Sequence, residues 1–280
     1  MRNTFIEHLI RKAETDARVF LVVGDLGFSV VEPYIERFPD RFLNAGVAEQ
    51  NMTAVAAGLA REGYRPFTYS IGNFSTVRCL EQVRNDVCYH KLPVCVVAVG
   101  GGYMYGPLGP THHATEDIAI MRALPAMRVF VPFGRASTCS AIDEILSGDA
   151  PAYLRLGRAD VETAPTGGNG LTAVRQVTGR GRAIVSVGQL SREIVERAGR
   201  EQADLFAWCR IKPLPEKELK DLADRYEDIL VVEDHQREGG AFSAFSEFTS
   251  RLKSVSIRGR FSPHVCKEGE QRSRMMQVDE

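Results

Sequence analysis

Short apolar runs that stop abruptly at Gly or at polar residues recur along this chain, each followed by a stretch of helical periodicity. This alternation limits the fold more than any other feature. Val19–Val23 ends at Gly24-Asp25, and further runs at Arg65–Tyr69, Pro93–Val99, Arg128–Val131 and Ala152–Leu156 read as strands. Apolar strands without in–out alternation belong in sheets buried on both faces, hence mainly parallel sheets with helical crossovers. The helices are expected near Val30–Phe38, Val47–Ala60, Thr76–His90, Glu116–Ala123 and Ala136–Leu146. Ahead of them, Phe5, Ile6, Leu9, Ile10 and Ala13 recur at helical spacing, and Thr4 with Glu7 fits a capping box. The fold class is α/β.

The stretch Thr163-Ala164-Pro165-Thr166-Gly167-Gly168-Asn169-Gly170 has the composition of a linker. Beyond it, strands at Ala183–Val187, Asp204–Trp208 and Ile229–Glu233 alternate with helices near Ser191–Arg200, Glu216–Arg225 and Ala241–Leu252. A length of 280 residues accommodates two domains. The expected division is 1–163 and 171–261, both mainly parallel α/β units, with a polar tail over 262–280. A formal net charge of −1, with both signs interspersed, leaves no field to attract nucleic acid or acidic lipid. Six cysteines lack zinc or redox spacing, and no run approaches the about 20 apolar residues of a membrane span, so a cytoplasmic protein is expected.

Two segments carry candidate chemistry. In Gly46-Val47-Ala48-Glu49-Gln50-Asn51-Met52, a glutamate follows a strand end among small residues. Desolvation there favours a protonated carboxyl able to share its proton with a basic ring nitrogen, whereas a glutamate at a helix start is also simply favoured by the helix dipole. In Leu108-Gly109-Pro110-Thr111-His112-His113-Ala114-Thr115-Glu116-Asp117, two histidines follow a Gly/Pro loop on the C-terminal side of a strand, where sites in open α/β sheets gather. Imidazole moves protons or binds oxygens near neutral pH. Adjacent histidines diverge, no zinc spacing is present, and a capped helix start at Thr111 or Thr115 accounts for the segment equally well.

Gly100-Gly101-Gly102 lacks dinucleotide-fingerprint spacing and reads as close backbone approach in a substrate or cofactor cleft. Gly24-Asp25-Leu26-Gly27 is no phosphate-binding P-loop, and no serine-hydrolase elbow occurs. Arg2, Arg155 and Arg158 lie at element ends, where arginines are usually solvated but also clamp phosphate.

Taken in order, Gly46-Val47-Ala48-Glu49-Gln50-Asn51-Met52-Thr53, Pro66-Phe67-Thr68, Gly109-Pro110-Thr111-His112-His113, Arg122 to Val129, and Val231-Val232-Glu233 with Gly239-Gly240 resemble the transketolase family of thiamine-diphosphate enzymes. The resemblance runs from Arg2 to about Phe248, over the family's pyrimidine-binding and C-terminal domains. It implies a transferase that moves a two-carbon ketol unit between sugar phosphates. Glu49 would hydrogen-bond the aminopyrimidine and promote its imino tautomer, Phe74 would stack on that ring, and Asp25 would support it. His112 would face substrate as a catalytic proton carrier or oxyanion donor, His113 would bind substrate beside it, and Arg2, Ser29 and Arg158 would bind the sugar's terminal phosphate.

The family's diphosphate and magnesium motif, Gly-Asp-Gly followed by Asn-Asn, does not occur in the chain. The resemblance therefore implies an N-terminal partner subunit that holds the diphosphate with Mg²⁺ or Ca²⁺, in an α₂β₂ heterotetramer. Leu108 stands where many transketolases place an acid that reads a sugar hydroxyl, and a phosphate-site histidine is replaced near Gly100–Gly102, which points to a modified sugar. Alternatives are a beta subunit of an oxo-acid dehydrogenase, a deoxyxylulose-phosphate-synthase-like carboligase, and a non-catalytic scaffold subunit.

Overall fold

The computed structural model describes residues 1–157, 169–177, 181–189 and 192–249. The strands are β1 (Val19–Val23), β2 (Phe42–Asn44), β3 (Arg65–Ile71), β4 (Cys95–Val99), β5 (Arg128–Phe130), β6 (Ala152–Leu156), β7 (Leu171–Arg175), β8 (Arg182–Val187), β9 (Asp204–Trp208), β10 (Arg210–Lys212) and β11 (Asp228–Val232). The helices are α1 (Arg2–Thr15), α2 (Glu32–Arg37), α3 (Glu49–Arg61), α4 (Gly72–Ser75), α5 (Leu80–Gln82), α6 (Asp117–Ala123), α7 (Arg135–Ser147), α8 (Arg192–Arg200), α9 (Glu216–Arg225) and α10 (Ala241–Thr249). Arg158, linker residues 163–168 and the tail 262–280 lie outside the described residues.

Two sheets organise these elements. The first has the order β10-β5-β6-β4-β3-β1-β2 and the second β11-β8-β9-β7. Within the first, every pairing is parallel except β10 with β5. Within the second, only β7 runs antiparallel, against β9. Strands β1, β4, β6 and β9 are buried at every residue, as sheets covered on both faces require. Two core clusters each draw side chains from both sheets: Val97 and Leu154 join Ile184 and Leu205 in one, and Val129 and Tyr153 join Trp208 and Phe245 in the other.

Strand β10 was not legible in the sequence. It comes from the C-terminal half yet extends the first sheet, with Arg210 opposite Phe130 and Lys212 opposite Val129. The edge strands β2 and β7 also escape the sequence pattern, because a three-residue strand or one with mixed burial carries no apolar run. At the N-terminus the capping box does not form: α1 starts at Arg2, so Thr4 is buried inside the first turn and Glu7 accepts from Arg135 instead.

The expected helix over Thr76–His90 is replaced by α5 and a π-helical turn at Val83–Cys88, with the short α4 lying ahead of them. Hydroxyls cause part of this. Ser75 Oγ donates to Ile71 O at 3.1 Å and Thr76 Oγ1 to Gly72 O at 2.6 Å, bonding back to carbonyls and favouring a bend over continuation. The break matters because it presents Phe74 and Arg78 on an irregular segment at the sheet edge. Register puts that edge together: Val23 lies opposite Asn44 and Tyr69, and Val99 opposite Ile71 and Leu156. The loops after β1, β2, β3 and β4 therefore leave along one side.

Candidate functional site

Glu49 is the first residue of α3 and is only 2% exposed. A carboxylate there faces the positive end of the helix dipole. Gly24, at the end of β1, lies against it: a Cβ at position 24 would sit 3.1 Å from Glu49 Cγ. Any larger residue would push the carboxylate out of place.

Arg78 Nη1 donates to Glu49 Oε2 at 2.8 Å. The guanidinium carbon of Arg78 also lies 4.1 Å from the centroid of the Phe74 ring. That ring is 5.1 Å from the His112 imidazole, with the planes tilted by 60°. Glu49, Arg78, Phe74 and His112 thus form one continuous row of contacts. Asn73 Nδ2 fastens the histidine loop to this row by donating to Thr111 O at 2.7 Å, and Thr111 Oγ1 lies 3.0 Å from His112 Nδ1. Tyr105 stands edge-on to His112 at 6.3 Å.

The adjacent histidines do diverge. His113 Nε2–H donates to Gly106 O at 3.2 Å, and its ring meets Tyr103 at 5.3 Å, so its role in this structure is to hold the loop. Asp25 is exposed and adopts a φ of 52°, locked by a reciprocal pair with Asn44: its N–H donates to Asn44 Oδ1, and Asn44 Nδ2 donates to Asp25 Oδ1, each at 3.0 Å. Ser29 is exposed, and its N–H donates to Glu32 Oε1 at 2.8 Å, which holds that carboxyl below its ordinary range. Arg2 on α1 is half-buried. Burial pushes the Tyr69 hydroxyl well up, an effect that the Arg2 charge opposes and Tyr105 adds to.

Sequence reasoning missed Arg78, the nearest partner of Glu49. They are 29 residues apart and nothing in their spacing joins them. An aromatic at 74 and a cation at 78 suit helical i, i+4 pairing, and this was the one available signal. Cys79 was likewise unremarked. Its thiol donates to Phe74 O and is pushed up to about 11 by burial, so it is an uncharged group beside the row.

The structure corrects one further expectation. Arg155, a strand-end arginine expected to be solvated or to clamp phosphate, is buried. Its Nε pairs with Asp117 Oδ2 at 3.0 Å, and its Nη2 donates to Ala114 O at 3.2 Å and Asp234 O at 2.8 Å. Tyr153 donates to the same Asp117 oxygen at 2.5 Å, and His235 Nε2 accepts from the Ala119 N–H at 3.2 Å. Gly101 and Gly102 approach these groups closely: a Cβ on Gly101 would lie 1.6 Å from Arg155 Nε, and one on Gly102 2.4 Å from Asp234 Cβ. The cluster binds the histidine loop to the second half of the chain.

A largely apolar cleft opens between the two sheets, with Leu156, Val187, Ile194 and Val232 on its walls. Its lining includes none of Glu49, Phe74, Arg78 or His112, so volume and chemistry do not coincide. Among the described residues, no group of three His, Cys, Asp or Glu side chains gathers to hold a metal, and no helix is long and apolar enough to cross a membrane.

A parallel α/β sheet that presents a buried helix-initial carboxylate, an aromatic face and a histidine loop along one edge, joined to a smaller α/β sheet, defines a two-sheet α/β protein with an open site. Residues 1–163 match the family described as transketolase, pyrimidine binding domain, and the chain belongs to the transketolase family. It is 35% identical over 261 residues to a putative transketolase C-terminal section of Methanocaldococcus jannaschii, covering 88% of this chain and 81% of that protein. It is 32% identical over 267 residues to 1-deoxy-D-xylulose-5-phosphate synthase of Nitratidesulfovibrio vulgaris, covering 91% of this chain but only 41% of the synthase. Among solved structures it resembles one titled "Split gene transketolase, inactive beta4 tetramer", with a TM-score of 0.82 and 30% identity over 94% of this chain and 90% of that one.

Proposed function

We propose that this chain is the cofactor-activating subunit of a heteromeric, thiamine-diphosphate-dependent transketolase that moves a two-carbon ketol unit between sugar phosphates. The carrying observation is the buried Glu49 carboxylate, which accepts from a planar N–H donor lying on the Phe74 ring. An aminopyrimidine that carries a proton on its ring nitrogen is also a planar N–H donor, so the seat suits it. When bound, thiamine diphosphate supplies the carbon nucleophile and the electron sink.

The chain's own residues do the rest. Glu49 holds a proton at the pyrimidine ring nitrogen, where burial strengthens the bond. Phe74 supplies the stacking face, and Asp25, fixed by Asn44, supports the same edge. His112 donates to or accepts from substrate oxygen, with His113 anchoring its loop. Arg2, Ser29 and Arg158 take the terminal phosphate. Since the family's Gly-Asp-Gly and Asn-Asn motif does not occur in the chain, the diphosphate and its Mg²⁺ or Ca²⁺ fall to an N-terminal partner subunit in an α₂β₂ assembly. A structural relative whose title describes an inactive β₄ tetramer supports a need for a second chain type. Leu108, 55% exposed on the histidine loop, favours a modified sugar over ordinary pentose phosphates.

The test is reconstitution: mix the chain with its candidate partner, thiamine diphosphate and Mg²⁺, then follow cofactor binding and ketol transfer from a panel of ketose phosphates. Turnover by the mixture and by neither chain alone is expected. The similarity to deoxyxylulose-phosphate synthase favours a second reading, carboligation, which condensation of pyruvate with glyceraldehyde 3-phosphate would reveal. Oxo-acid decarboxylation alone points to a dehydrogenase-type subunit. Association without cofactor binding points to a scaffold.

A further inference from the structure

The Glu49 carboxylate is buried while the Arg78 side chain that pairs with it is 44% exposed. A buried carboxylate without a partner is costly, so the cofactor-free chain has to supply one. Arg78 does so in a particular geometry. Its N–H points to Glu49 and its guanidinium carbon lies over the Phe74 ring, the two groups assigned above to the aminopyrimidine. A guanidinium and an aminopyrimidine are both flat, both donate N–H, and both stack on aromatic faces.

We propose that Arg78 is a displaceable stand-in for the pyrimidine: it fills the seat between Glu49 and Phe74 in the unloaded subunit and leaves it when cofactor enters. Its backbone favours this. Arg78 lies in the irregular stretch between α4 and α5, and its side chain already faces solvent on one side. It can withdraw without unpacking a helix or strand. Among the described residues, Glu49 and Phe74 are the partners of its guanidinium, so nothing else has to break. The exchange protects Glu49 from burial without a partner and, in return, makes cofactor compete with an internal ligand.

The inference rests on the assignment of Glu49 and Phe74 to the cofactor, and the experiment separates the two. Thiamine diphosphate affinity is measured in the complex with the partner subunit for wild type, Arg78→Ala, Arg78→Lys, Glu49→Gln and Phe74→Ala. Thermal midpoints are measured for the isolated full chain and the loaded complex. Removing a half-exposed ion pair and its ring contact should tighten cofactor binding about tenfold in Arg78→Ala, with Arg78→Lys in between. The Arg78–Glu49 double-mutant coupling should appear in the isolated chain and vanish on loading. Weaker or unchanged affinity in Arg78→Ala, or coupling that persists in the loaded complex, overturns the stand-in and makes Arg78 a permanent positioning partner of Glu49. If Glu49→Gln and Phe74→Ala both leave affinity unchanged, the cofactor assignment fails and the inference falls with it.

Discussion

Among the described residues, two buried carboxylates pair with arginine, and they differ in one respect. Asp117–Arg155 is sealed, with side chains 0% and 6% exposed, whereas in Glu49–Arg78 the carboxylate is 3% exposed and the arginine 44%. The sealed pair is over-determined: Tyr153, Ala114 and Asp234 all bond to it, and Gly101 packs on it too closely for any side chain. The open pair sits on an irregular segment with an aromatic ring beneath it. The same ionic chemistry therefore serves as a rivet where both partners are buried and further protein groups bond to the pair, leaving only Asp117 Oδ1 without a hydrogen bond, and as an exchangeable contact where one partner stays in water. Burial of the carboxylate does not distinguish them. Burial of the cation does.

The sharpest way to break this comparison is Glu49→Gln, which should lower turnover of the reconstituted enzyme by about 10⁴-fold in steady-state assays while leaving the urea midpoint of the chain nearly unchanged. Near-normal turnover would return Glu49 to the status of a dipole-favoured helix start. Next in size, Arg155→Met strands a buried Asp117 and should cost about 3–5 kcal/mol in urea unfolding. Arg78→Ala should cost only about 1 kcal/mol, because water reaches the vacated side of Glu49. Equal losses would erase the distinction between rivet and exchangeable contact. Gly101→Ala, which forces backbone away from Arg155, should lose about 1–3 kcal/mol by the same measurement.

The smallest effect concerns Glu233, near Arg155 in the sealed region. Its carboxylate caps α10 by accepting from the N–H groups of Ala241 at 2.8 Å and Phe242 at 2.9 Å, yet burial holds its pKa above the ordinary 4.5. A carboxyl raised on folding contributes stability that is complete below pH 4.5 and is lost as pH rises through the folded value. Glu233→Gln should therefore flatten the fall in thermal midpoint as pH rises from 4.5. An unchanged slope would mean that other groups carry it.

Much of the scaffold was legible because the physics that specifies it is local. The unbroken apolar runs of β1, β4 and β6 announce strands buried on both faces, and α9 appears where its periodicity places it. The site was legible in part. Glu49, Phe74 and His112 were singled out as candidates and the structure joins them in one row, but Arg78, which connects the first two, was not named. Ser29 and Asp25 occupy exposed turns of positive φ, and no distance described here carries them to His112. The broken helix after Gly72 was also invisible, because Ser75 and Thr76 bend the chain through bonds to their own carbonyls, and periodicity does not register these.

The sequence alone determined the α/β class, the buried parallel strands and the segments that meet at one sheet edge, because hydrophobic period and strand-terminating residues act over a few neighbours. Only the tertiary structure decided which charges pair and which of those pairs are sealed. Arg155 finds Asp117, Arg78 finds Glu49, and β10 crosses to the first sheet, through contacts between residues far apart in the chain. The desolvation that makes one pair a rivet and leaves the other open belongs to the assembled packing around each charge, and no stretch of sequence carries it by itself.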